Sequence, residues 1–234
     1  MTRPFVARAR GYDEHPVEYF WALIQQLDPA DYPLGVKPVP YQLGGTWGFS
    51  GGSGLFRKPG APLPPFPFGG VMFVGSNLNS VTGWKKAEDR RDPGDPDDPK
   101  MMYWRNIRKL LDLAEVDRAQ VFFTNIFSIG LMEGESATAA FPGRKDPSFS
   151  GWCYAFLQKQ IVTMNPRVVV ALGGVSQRKQ GVRPGELIRP HPGVSCTLVG
   201  LQHTSSPRYY MRLSTGRLID REAALLNRAA GPHA

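Results

Sequence analysis

The chain has 234 residues, 41% of them hydrophobic and 21% charged, a length and balance that build a large core unaided and exclude a disordered chain or a coiled coil. Its 28 Lys and Arg against 20 Asp and Glu give a formal charge of +8, which leans toward a polyanionic partner such as nucleic acid. The 2 cysteines, Cys153 and Cys196, form no CxxC pair and have no close histidine, which excludes zinc and four-cysteine iron–sulfur centres and leaves them as buried free thiols.

The N-terminal "MTRPFVARARGYDEHP" lacks the apolar centre of a secretory signal. No run reaches the roughly 18 apolar residues of a membrane span, so a cytoplasmic protein is expected. Pro16 to Leu27 places Val17, Phe20, Trp21, Ile24 and Leu27 at helical spacing, with Pro16 suited to a first turn, and predicts a packing helix. From Tyr32 to Gly70 the chain is rich in Pro and Gly and reads as irregular structure wrapped over a domain, pinned by Trp47, Phe49 and Phe56. Residues 1–70 are therefore expected to form an N-terminal helix and extension, and 71–234 the main domain.

After Gly70, short apolar runs alternate with amphipathic stretches, the pattern of a three-layer α/β/α domain with a mainly parallel sheet. The predicted strands are Val71 to Val74, Val121 to Thr124, Arg167 to Leu172 and Thr197 to Leu201. Helices are predicted over Met101 to Ala114, Trp152 to Met164 and Arg217 to Ala229. The proline-broken run from Lys85 to Lys100 reads as a solvated charged loop.

Helices cover both faces of such a sheet, so a ligand site is expected at the carboxyl ends of the strands. The loops there read "GSNLNS", Asn125 with "IFS", "GGVSQ" and "QHTSSPRYY". Neither a GxxxxGK[ST] loop nor a GxGxxG after a strand is present, and the charged run does not have EF-hand spacing. What remains is a set of neutral amides and hydroxyls with His203 and Arg208, a set suited to reading the edge of a heterocyclic base and holding a phosphate. Asn125 offers a donor and acceptors together, as pairing with adjacent groups on a pyrimidine edge requires. Asparagines at such positions also close turns by bonding to nearby backbone, and a histidine there also serves as an ordinary hydrogen-bonding residue.

"VMFVGSNLN" and "LVGLQHTSSPR" resemble the first and last motifs of the uracil-DNA glycosylase superfamily. Between them, "YWRNIRKLL", "VFFTNIF", "GWCYAFLQKQI" and "PRVVVALGGVSQ" are similar, in serial order, to that family's intervening helices and strands. The resemblance runs from about Val71 to Arg212. It implies a DNA glycosylase that hydrolyses the N-glycosidic bond of uracil or a related deaminated base in single- or double-stranded DNA, with neither metal nor cofactor.

In that resemblance Asn77 places the water and His203 stabilises the departing base, so these are the implied catalytic residues. Gly75, Ser76, Trp84 and Asn125 are implied at the base, with Trp84 as the stacking ring. Ser80, Ser205, Ser206, Arg208 and Tyr209 are implied at the DNA, the arginine or the tyrosine filling the gap left by the flipped nucleotide. The motifs also depart from the family. Asn77 stands where the fastest branches carry a water-activating acid, Leu78 and Thr204 stand where prolines are usual, and the last motif has an extra serine. Two alternatives follow: a protein of this fold that binds nucleic acid with little or no hydrolysis, and another nucleoside- or nucleotide-processing α/β enzyme.

Overall fold

The computed structural model describes residues 15–39, 65–77, 80–82, 102–134, 140–181, 187–188, 196–203 and 217–231. Helix α1, Pro16–Ile24, starts where the sequence signals, with Pro16 in its first turn and His15 Nδ1 accepting from the Val17 N–H at 3.3 Å. The Pro/Gly-rich tract is not irregular throughout. Strand β1, Val36–Pro38, pairs antiparallel with β4, Gly130–Met132. A turn closed by Val36 N–H to Pro33 O at 3.0 Å, with Gly35 at φ +81, brings it into register.

The central sheet is built from β2, Val71–Asn77, β3, Val121–Phe127, β5, Val168–Leu172, β6, Leu187–Ile188, and β7, Thr197–Leu201. Among the described residues its order is β3-β2-β5-β7-β6. The first four strands are parallel and β6 is antiparallel to β7. Both β2 and β3 run three residues past their predicted ends. The extension follows from pairing: Gly75 lies opposite Asn125 and Asn77 opposite Phe127, so the ladder continues through residues that read as loop.

Alternation along these strands sorts the core into two faces. Met72, Val74, Phe122, Val169 and Leu198 pack with α1 and with α3, Pro147–Met164. Val71, Phe73, Val121, Phe123, Val170 and Val199 pack with α2, Met102–Leu113, and α5, Arg217–Ala230. This is the α/β/α layering expected. The first face also includes an aromatic cluster in which the Phe20 ring of α1 lies 6.0 Å from Phe66, 6.3 Å from Phe122 and 6.0 Å from Phe156.

Helix α3 begins five residues before the predicted start. Asp146 caps it by accepting from the Phe149 N–H at 2.8 Å, Pro147 occupies the first turn, and Asn165 ends it in the left-handed region at φ 47. The "GGVSQ" segment, read as a loop, forms helix α4, Gly173–Gln180. Its amphipathic signal is weak because polar tethers as well as packing hold it: Gln177 is buried and its Nε2 donates to Leu201 O at 2.6 Å. No helix among the described residues is long and apolar enough to cross a membrane.

Candidate active site

The carboxyl ends of β2 and β3 carry the two asparagines that the sequence reading singled out. Asn125 continues the alternation of Val121 and Phe123, and Gly75 that of Val71 and Phe73, so these two positions lie on the α2/α5 face, whereas Asn77 pairs with Phe127, which packs in the α1/α3 core. Within β3 only Asn125 is partly exposed; every other residue of the strand is buried. Its side chain lies directly over Gly75, where an added Cβ would overlap Asn125 Oδ1. The glycine is thus the seat of the amide, and any side chain there would push Asn125 Oδ1 aside.

Alternation puts the Ser76 side chain on the opposite face from Gly75 and Asn125. Ser80, expected at a phosphate, is fully buried and forms an isolated parallel bridge with Met132. Trp84, Ser205, Ser206, Arg208 and Tyr209 lie outside the described residues, as do Leu78 and Thr204.

At the other half of the same sheet edge, His203 follows β7 by two residues and is partly buried. Its Cβ packs against Gly173, the first residue of α4, whose φ is +73 and where an added Cβ would stand 2.9 Å from His203 Cβ. Backbone conformation and close approach both require glycine there. The Tyr103 ring, from the first turn of α2, lies 5.5 Å from the imidazole at an interplanar angle of 36°. Burial holds the His203 pKa below the ordinary histidine value of 6.5 and raises that of the Tyr103 hydroxyl. At neutral pH the pair is therefore an uncharged imidazole beside an uncharged phenol.

Two further side chains fix the segment that leads to His203. Gln177 donates to Leu201 O at 2.6 Å and to Ala171 O at 3.4 Å, tying the ends of β7 and β5 together. Glu222, buried on α5, accepts from the Gln202 N–H through Oε1 at 2.8 Å. Sequence reading missed Tyr103, Gly173, Gln177 and Glu222. A signal for Glu222 exists, because it shares a helical stripe with Ile219, Ala223 and Leu226, where a solvated face would not be. A groove lined by Leu113, Glu115, Asp220, Ala223, Ala224, Asn227 and Arg228 lies between the end of α2 and α5, and includes none of the sequence-predicted residues.

Asn125, Asn77, Gly173 and His203 thus stand at the ends of four neighbouring strands, β3, β2, β5 and β7. With strands about 4.8 Å apart, the strands of Asn125 and His203 are about 14 Å from each other, and those of Asn77 and His203 about 10 Å. This is an edge lined by neutral hydrogen-bonding groups, able to hold a planar polar ligand and to donate to it, with no carboxylate among its predicted members to take a proton. No curated protein matches the chain. The family model of the uracil DNA glycosylase superfamily matches residues 70–228, which include both strand ends that carry the two asparagines, the segment of His203 and most of α5. The chain belongs to the uracil DNA glycosylase superfamily.

Proposed function

We propose that the protein excises uracil or a related deaminated base from DNA as a monofunctional glycosylase. Membership brings glycosylase-type hydrolysis and DNA as its substrate at the level of the superfamily. The observation that carries the finer reading is the seating of Asn125 on Gly75, beside the strand that ends in Asn77 and at the same sheet edge as a neutral His203. A carboxamide whose backbone is held at a ladder position is suited to reading one base edge, since it offers a donor and an acceptor side by side.

In this reading the target nucleotide is flipped out of the stack and its base enters the strand-end site. The bond between C1′ of the sugar and the base nitrogen breaks, and its electron pair leaves with the base. Asn125 pairs with the base, and the neutral His203 donates its N–H to a base carbonyl oxygen on which that negative charge gathers. Asn77 orients a water molecule toward C1′. The water oxygen becomes the hydroxyl of the abasic sugar, and its proton is released to the departing base or to solvent. An amide orients water without accepting its proton, so the chemical step is slower than one assisted by a carboxylate.

The test is incubation with single- and double-stranded oligonucleotides containing one uracil, followed by alkali. Strand scission at the uracil position is the expected result. The amide at Asn77 also favours the second reading, a nucleic-acid-binding protein with little hydrolysis. DNA binding with no alkali-labile site would establish that reading instead, and turnover of free nucleosides without action on polymer would replace both.

A further inference from the structure

We infer that Glu222 is a positioning residue for His203, so that the last helix of the chain sets where the imidazole stands at the sheet edge. The inference rests on the site proposed above. The two residues immediately before His203 are each tied to a different helix. Leu201 O accepts from Gln177 Nε2 of α4 at 2.6 Å, and Gln202 N–H donates to Glu222 Oε1 of α5 at 2.8 Å. Gly173, at the start of α4, backs the Cβ of His203 itself.

The need for such ties follows from the ladder. Strand β7 pairs with β5 from Thr197 to Leu201, while β6 reaches only Leu198 and Val199. Among the described residues the ladder ends at Leu201, and a carboxylate is a strong acceptor for the next backbone N–H, that of Gln202. A buried carboxylate is a costly way to fill space, and an apolar residue on the stripe of Ile219, Ala223 and Leu226 would pack at less cost. Among the contacts this acid makes is one to the backbone one residue before His203, and that contact ties α5 to the sheet edge.

The test separates holding from packing. Histidine-ring nitrogen and proton resonances of the full-length protein report the tautomer and surroundings of His203, one of 4 histidines, and are assigned with His203→Ala. Glu222→Gln keeps a carbonyl oxygen for Gln202 N–H and should leave those resonances and turnover near those of the parent. Glu222→Ala should shift the His203 ring resonances and lower kcat by about ten- to hundredfold with KM little changed, as expected for a misplaced catalytic group. Should the alanine variant fail to fold, Glu222→Met preserves volume while removing the acceptor and carries the same expectation. Unmoved ring resonances in the variants that lack an acceptor would overturn the inference, as would equal losses for Gln and Ala. If the parent protein releases no base from any oligonucleotide, the proposed function fails, while the ring resonances still decide the role of Glu222.

Discussion

The two halves of the strand-end site are built by different means. Asn77 and Asn125 belong to strands, and the parallel ladder between β2 and β3 fixes their backbones residue by residue. His203 stands beyond its strand, on backbone held by one side chain from α4 and one from α5. The backbone of the first half is set by the sheet; that of the second hangs on side-chain hydrogen bonds from two helices. The backbone of the asparagine half is thus fixed by the sheet, whereas the histidine half depends on distant helices and is the more sensitive to substitutions away from the site.

Direct removal of each half comes first in size. His203→Ala should lower kcat by about 10²- to 10³-fold, the usual cost of losing a donor aimed at developing negative charge, read in single-turnover release of uracil. Asn125→Ala should instead weaken discrimination between uracil and other bases, so the ratio of their kcat/KM values is the measurement. Equal and negligible effects of both changes would remove the division of labour.

Gly75→Ala attacks the asparagine half through its seat. The new methyl overlaps Asn125 Oδ1, the tip of a partly exposed side chain, so the amide swings away at little cost in stability but with a loss of base choice that mimics Asn125→Ala. Denaturant midpoints together with the substrate ratio would check this. Gly173→Ala is the counterpart on the other side. A residue other than glycine at φ +73 costs about 1–2 kcal/mol, and the methyl presses on His203 Cβ, so kcat should fall while base choice is kept.

The smallest effect expected is one of pH on stability. The folded protein holds the His203 pKa below 6.5, the value of an exposed histidine. The stabilising contribution of the neutral ring is therefore complete above pH 6.5 and is lost as pH falls through the folded-state pKa. Urea midpoints at pH 7.5 and pH 5 should differ more for the parent than for His203→Gln, which has no such ring to protonate.

Much of this arrangement is written locally in the chain. The apolar runs at Val71, Val121, Val168 and Thr197 announce the parallel strands, and the polar loops after them put Asn77, Asn125 and His203 at strand ends along one sheet edge. Boundaries were less legible, because β2 and β3 extend through Gly75–Asn77 and Asn125–Phe127 by pairing with each other, which is a nonlocal cause. Helix α3 starts at an Asp-Pro signal that precedes its apolar periodicity, and α4 hides behind two glycines because Gln177 tethers it to strand carbonyls. Tyr103 and Glu222 meet the His203 segment only in three dimensions, and no spacing in the sequence brings them there.

The aromatic cluster around Phe20 has a practical consequence. The family match opens at residue 70, yet Phe20 and Phe66 cover Phe122 and Phe156 on the sheet and α3. The boundary of family likeness therefore falls inside one hydrophobic unit. A protein trimmed to that boundary would present a greasy aromatic patch to solvent and should self-associate on purification, so recombinant work on the excision chemistry is best served by keeping the leading helix.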